Sequence, residues 1–262
     1  MANSIIREKI HYIYGKLFFG LIACCPRIGY RVYLPDSIYA FGKYPESKML
    51  YHRWIRNSRV NDGGDMNRFY SLILNLQQLL DEGVKGEFAE LGVYQGTTAA
   101  VIAHFAEKGS RKLFLFDTFK GFDRRDLVDI DAPEKSDFSD TSHASVATFI
   151  GHQDTCRYCV GYFPESLTSE AEKSSFAFVH LDCDLYKPMS DGLKFFWPRL
   201  SSGGMIFLHD YSSGYWKGAK KAIDEFCQET GNLIILLPDK SGTALIRKPR
   251  LISASKFQEN EI

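Results

Sequence analysis

A chain of 262 residues with 45% hydrophobic content suits one large domain, with or without a terminal extension, and holds ample material for a buried core. Its 32 basic and 32 acidic residues cancel, which removes the electrostatic footprint of a nucleic-acid-binding protein; no long like-charge run, low-complexity tract or internal repeat is present. The six cysteines, Cys24, Cys25, Cys156, Cys159, Cys183 and Cys227, form no disulfide framework. Buried free thiols in a reducing cytoplasm are the expectation.

Residues 1–58 are rich in Tyr, Arg and Ile and are broken by Pro26, Pro35 and Pro45, so a short helix and an irregular arm are expected, placed to cover a ligand site or a neighbouring subunit. The apolar run from Leu17 to Cys25 follows Arg7, Lys9 and Lys16 but is far shorter than the ~20 residues of a spanning helix. No convincing cleavage site follows it, so a docking helix or weak peripheral membrane contact is expected instead of a span. From Asp65 to Glu82 the residues Phe69, Leu72, Ile73, Leu76, Leu79 and Leu80 recur at helical spacing, and Gly83 ends the helix.

The chain is organised around Gly86 to Thr98, which reads as a strand, a glycine-rich turn and a helix start. Gly92 and Gly96 allow a tight turn and close approach of a ligand, while Thr97 and Thr98 are placed to cap a helix running to Lys108. A dinucleotide fold wants Gly-x-Gly-x-x-Gly; this chain has Gly-x-x-x-Gly. Glu90, two residues before the first glycine, would repel a pyrophosphate but pair with an ammonium, and S-adenosylmethionine carries an ammonium and no phosphate. The bland alternative is an ordinary βα turn with a solvated Glu.

The next apolar run, Lys112 to Phe116, ends in Asp117, about twenty residues past the glycines, where a carboxylate meets ribose hydroxyls; a turn-forming Asp is the alternative. Lys120 to Asp140 is an acidic loop or lid, Ser142 to Ile150 a weak helix, and Cys156 to Phe163 a third strand that takes in Cys156-x-x-Cys159. Ser175 to Leu181 is a continuous apolar strand of the kind found at the centre of a parallel sheet, running into Asp182-Cys183-Asp184. A helix over 188–200, a strand over Met205 to Leu208 ending in His209-Asp210, and a helix over Lys217 to Thr230 follow. Leu233 to Leu237 and Thr243 to Ile246 make a closing hairpin.

Strand–helix alternation predicts an α/β fold with a doubly wound, mainly parallel seven-stranded sheet, over residues 59–250, with a tail at 251–262. Ligands bind at the carboxyl ends of such strands, where Glu90, Asp117, Asp182, Asp184, His209 and Asp210 all fall. Asp182 and Asp184, one residue apart at a strand tip, are expected to point the same way, beside His209 and Asp210. Three carboxylates gathered with an imidazole in a small volume raise one another's pKa, as like charges do, unless a divalent cation relieves them; carboxylates suit Mg²⁺ or Mn²⁺, and the imidazole leans toward Mn²⁺, Fe²⁺ or Zn²⁺. The bland alternative makes Asp184 a helix cap, His209 a core histidine and Asp210 a loop acid.

The segments Glu90 to Gly96, Phe116 to Phe122, Gly161 to Leu167, His180 to Tyr186 and Pro198 to Gly204 resemble the macrocin O-methyltransferase family, which includes the mycinamicin and noviose sugar methyltransferases. The resemblance covers about residues 60–247 and implies a class I, Rossmann-like fold and metal-dependent methyl transfer from S-adenosylmethionine to a sugar hydroxyl. It implies that Asp182 is a metal ligand and Asp184 the general base. Where the family has Asp-Asp-Tyr this chain has His209-Asp210-Tyr211; Asp210 matches a metal-binding acid and His209 replaces the other. The expected set is Asp184 and His209 in catalysis, with His209 the better base if no metal binds. Asp182, His209 and Asp210 are expected at the metal, and Glu90, Gly92, Tyr94, Gly96, Thr97, Thr98, Asp117, Thr118, Tyr162 and Asp182 at the cofactor. A phenol- or catechol-directed methyltransferase and a non-catalytic cofactor-binding relative are the alternatives. Homo-oligomerisation is implied by the resemblance alone.

Overall fold

The computed structural model describes residues 45–56, 65–132 and 138–250. The expected N-terminal helix and arm, the boundary at 58/59 and the tail at 251–262 lie outside them. By contact density the chain divides between Glu46 and Ser47, and everything below except the first two residues of the first helix belongs to the second unit.

Helix α1 spans Pro45–Arg56 and α2 spans Met66–Asp81. The side chain of Asp65 caps α2 by accepting from the amides of Asn67 and Arg68, and Gly83 at φ +65° ends it. The parallel strands are β1 Glu87–Leu91, β2 Leu113–Asp117, β3 Cys156–Val160, β4 Phe176–Leu181 and β5 Leu200–Leu208. Between them run α3 Thr97–Lys108, α4 His143–Ile150, α5 Ser169–Lys173 and α6 Tyr186–Arg199. Helix α7 Lys217–Thr230 leads to β6 Ile235–Leu236 and β7 Ala244–Arg247.

The seven strands lie in the order β3-β2-β1-β4-β5-β7-β6, with β7 antiparallel to both β5 and β6. The expected seven-stranded, mainly parallel sheet with a terminal hairpin is the one found. Register places Glu90 beside Leu115 on one side and His180 on the other, and His180 beside Phe207. Alternation therefore puts Phe88, Glu90, Phe178 and His180 on one face, toward α2, and Leu91, Leu181 and Phe116 on the other, toward α6. On the α6 face Phe196 packs against Phe176 and Phe116 at ring separations of 5.1 and 5.9 Å. Full burial of these rings supplies the driving force that the 45% hydrophobic content promised.

Three local expectations are corrected. Thr97 and Thr98 do not cap α3: they form its first turn, and the cap position is Gly96 in the left-handed region with no side-chain bond. Strand β3 stops at Val160 because Gly161 turns the backbone at φ +137°. Asp182 and Asp184 do not share a direction through strand alternation, since β4 ends at Leu181 and Asp184 sits at φ +60°; the turn after the strand brings both to the same cavity.

Candidate functional site

The carboxyl ends of β1, β2, β4 and β5 surround a cavity of about 250 Å³, whose walls include Glu90, Asp117, Asp182, Asp184, His209 and Asp210. All six strand-end residues singled out by the sequence thus meet in one place. Tyr94, Thr97, Thr98, Thr118 and Tyr162 line it as well, while Gly96 does not.

The glycine turn is set by the backbone. A Cβ on Gly92 (φ +86°) would stand 1.9 Å from the carbonyl oxygen of Asp182, so the room it leaves is taken by the neighbouring strand end and not by a ligand. A Cβ on Gly96 would meet Val146 and Ile150 of α4 at 3.0–3.1 Å. Asp117 holds the turn: its Oδ2 accepts from the amides of Val93 (2.7 Å) and Tyr94 (2.9 Å), and its Oδ1 from that of Phe119 (2.6 Å). Oδ2 is filled by its two amides, whereas Oδ1, with one, keeps lone-pair capacity for a further donor such as a ribose hydroxyl. Tyr94 donates from its hydroxyl to Asp140 at 2.5 Å, and Gln95 also reaches Asp140. Thr118 is spent locally, donating to the Gly121 carbonyl at 2.6 Å. Tyr162 donates to the buried Asp126 at 2.7 Å beneath the Arg125 guanidinium, 3.7 Å above its ring.

Glu90 lies deepest, 1% exposed. Its Oε1 is 2.8 Å from Nδ1 of the equally buried His180, and its Oε2 has no hydrogen-bond partner among the described residues. Burial, then the charge of Asp182, pushes the Glu90 carboxyl well up; burial, then Arg68, pushes the His180 imidazole well down. His180 was not foreseen as a site residue, although a histidine inside the otherwise apolar β4 is a visible irregularity.

The acids of β4 and β5 are already partnered. Arg68 of α2 donates from Nη2 to Asp182 Oδ2 at 2.5 Å. Nδ1 of His209 lies 2.8 Å from Asp182 Oδ1 and 2.7 Å from Asp210 Oδ2. Burial works to raise the Asp182 carboxyl, but the charges of His209 and Arg68 outweigh it and hold the group well below the usual range. For His209, burial and Arg68 pull down while Asp182 and Asp210 pull harder the other way, pushing the imidazole up to about 10. Burial, followed by the charges of Asp182 and Asp210, drives the Asp184 carboxyl well up. Arg68 was missed. It stands four residues before Leu72 and eight before Leu76, on the apolar stripe of α2, and that placement was the available signal.

By donor type Asp182, His209 and Asp210 suit a divalent cation, with one ligand atom from each lying within 4.8 Å of the others. As arranged they do not fit one. Both oxygens of Asp182 and one of Asp210 face Arg68 or the hydrogen on His209 Nδ1, so a cation enters only if these side chains withdraw.

Further out, Phe122, Phe138 and Trp216 line the cavity and pack on one another at ring separations of 5.2–6.0 Å. Among the described residues Cys156, Cys159 and Cys183 are free and buried, as expected, and Cys227 is free but half-buried; burial pushes the Cys156 and Cys159 thiols up to about 11.

This strand order, with a glycine turn after β1 and acids at the neighbouring strand ends, is that of the class I, Rossmann-like methyltransferases. Residues 64–234 match the family model described as Macrocin-O-methyltransferase (TylF), and the chain belongs to that family. It is 25% identical over 162 residues to the 8-demethyl-8-(2,3-dimethoxy-alpha-L-rhamnosyl)-tetracenomycin-C 4'-O-methyltransferase of Streptomyces olivaceus, covering 56% of this chain and 61% of that protein. It is 27% identical over 164 residues to the Mycinamicin III 3''-O-methyltransferase of Micromonospora griseorubida, covering 56% and 63%. The matches thus span about three-fifths of these curated relatives' length. The solved O-methyltransferase NovP shares the fold with a TM-score of 0.60 at 19% identity, over 71% of this chain and 81% of that one.

Proposed function

We propose that this protein transfers a methyl group from S-adenosylmethionine to a hydroxyl of a sugar. Family membership and the relatives named for glycoside methylation support the reading, and one observation carries it: Glu90 Oε2, buried at the cavity floor without a hydrogen-bond partner among the described residues. A buried acceptor left unpaired costs about 1–3 kcal/mol. An ammonium donor such as that of the cofactor's methionine end recovers this and restores the ionised carboxylate. Asp117, already fixed on the glycine turn, receives the ribose, and Tyr94, Thr97, Thr98, Thr118 and Tyr162 complete the cofactor wall.

The transfer is an in-line displacement in which a C–O bond forms as the C–S bond breaks and the sulfonium becomes a thioether. Holding sulfur, methyl and acceptor oxygen collinear is mainly a matter of positioning. Asp184 takes the hydroxyl proton. His209 is assigned a donor's role, since its Nδ1 is given to two carboxylates; the base is Asp184 alone. Phe122, Phe138 and Trp216 offer flat apolar surface to the C–H face of a sugar ring. The same surface suits a phenol, the second reading.

A reducing, cytoplasmic location and a homo-oligomer remain part of the proposal. No helix among the described residues is long and apolar enough to cross a membrane.

The test is isothermal titration with S-adenosylhomocysteine, followed by labelled-methyl transfer to rhamnosides, other hexosides and a catechol. Micromolar cofactor binding lost in Glu90→Ala, with transfer to a glycoside, is the expected result. Transfer to the catechol alone favours the second reading, and no cofactor binding overturns both.

A further inference from the structure

We infer that this chain balances its strand-end carboxylates with its own side chains, Arg68 and His209, and that it binds cofactor and transfers methyl without a divalent cation. The inference rests on the methyltransferase reading, and its argument is geometric. Asp182 meets a buried donor at each oxygen, Arg68 Nη2 at 2.5 Å and His209 Nδ1 at 2.8 Å. The same Nδ1 stands 2.7 Å from Asp210 Oδ2. A nitrogen held between two carboxylate oxygens at these distances carries its hydrogen toward them, and the lone pair a metal needs is absent at that atom. Nε2 of the same ring is buried with no partner among the described residues, so the case against a cation rests on Asp182, both of whose oxygens already face donors.

Arg68 is built into this position. It is 3% exposed, and the α2 turn that carries it is pinned twice. Asp65 caps its amide at 3.1 Å, and Asp65 Oδ2 also accepts from the Lys240 amide in the β6–β7 connection at 2.6 Å. Asn67 adds a bond to the Pro238 carbonyl at 2.7 Å. These bonds fix the backbone from which the Arg68 side chain extends, so its guanidinium is presented to Asp182 from a pinned helix start. A divalent ion bound by Asp182 would sit within a few ångströms of that buried positive charge, and the two would repel.

The experiment uses the whole 262-residue chain after chelator treatment. Mn²⁺ is titrated and followed by the electron paramagnetic resonance of the free ion, with and without S-adenosylhomocysteine, and methyl transfer is measured with chelator present and with added Mg²⁺ or Mn²⁺. The expected result is no loss of the free-ion signal at about 0.1 mM metal, and transfer rates that neither chelator nor metal changes. His209→Asp, alone and combined with Arg68→Met, is expected to bind Mn²⁺ at least about tenfold more tightly than the parent. The single variant keeps the test available if the double variant does not fold. Stoichiometric Mn²⁺ binding by the parent overturns the inference, as does transfer that stops in chelator and returns with metal. Absence of cofactor binding in every condition removes the methyltransferase reading instead, while the Mn²⁺ titration still decides whether the site takes a metal.

Discussion

At the tips of β1 and β2 the cavity is walled by backbone that one carboxylate holds in place; at the tips of β4 and β5 it is walled by side chains that hold each other. In the first region Asp117 accepts from three amides within one turn and its neighbour, and Gly92 has no room for a side chain. In the second, Arg68, Asp182, His209 and Asp210 form a chain of charged contacts drawn from three separate elements. The difference teaches that the half proposed for the cofactor depends on conformation, which tolerates almost no substitution, whereas the acidic half depends on charge balance, which tolerates substitutions that preserve the balance.

Gly92→Ala is the most severe break. The added Cβ overlaps the Asp182 carbonyl, a backbone atom that cannot rotate away, at a positive φ that alanine resists. A loss of more than about 3 kcal/mol, or no soluble protein, is expected in chemical denaturation. Because that carbonyl belongs to Asp182, in the turn that follows β4, this change damages both halves, and a stable variant with unaltered cofactor binding would undo the contrast.

Arg68→Met acts first on the acidic half, and reaches the other only through His180, whose Nε2 lies 3.5 Å from the same Nη2. It leaves Asp182 without one of its two partners, and a loss of about 2–3 kcal/mol in denaturation is expected, below the range for a fully buried pair because the Asp182 side chain is 22% exposed. Restoring neutrality with Arg68→Met/Asp182→Asn is expected to recover most of that stability while still abolishing methyl transfer. Failure of the double variant to recover would mean that shape, not charge, decides this half too.

Asp117→Asn tests the other half more gently. The amide keeps one acceptor but turns the second toward amides of the same polarity, so about 1–2 kcal/mol of stability is expected to go. Calorimetry is expected to show at least a tenfold loss of S-adenosylhomocysteine affinity, since the turn and the proposed ribose contact fail together.

The smallest effect lies far from both halves. Glu82 at the end of α2 bonds Gln78 and pairs with Arg247 and Arg250, which hold its carboxyl below the ordinary value. A lowered carboxyl stabilises above its unfolded value near 4.5 and loses that contribution as pH falls through its folded value. Comparing the parent with Glu82→Gln on either side of that window is expected to show a difference below about 1 kcal/mol, vanishing in acid, because the group is near solvent. A larger effect would mean that the α2–β7 contact supports the placement of Arg68.

The cofactor half was the more legible because its rules are local. A turn that needs positive φ must spell itself with glycine, and an acid ending the next parallel strand falls at a fixed distance along the chain. Asp182, Asp184, His209 and Asp210 were legible as a set because apolar strands ended in polar residues. Their pairing was not. The Arg68–Asp182 bond joins residues 114 apart, and Glu90 and His180 are 90 apart. Only an irregularity marked each: an arginine on an apolar helix stripe and a histidine in a core strand.

By itself the sequence determined the order of strands and helices, the terminal hairpin, the site of the turn and the strand ends at which chemistry gathers, because periodicity and backbone conformational limits act over a few residues. Tertiary structure alone decided what fills the space beside Gly92, that Asp117 braces the turn, and that Arg68 and His209 stand against the acids. Those outcomes depend on which distant groups the sheet register and the docking of α2 bring within hydrogen-bond reach, and electrostatic energy is decided by that distance, not by position along the chain.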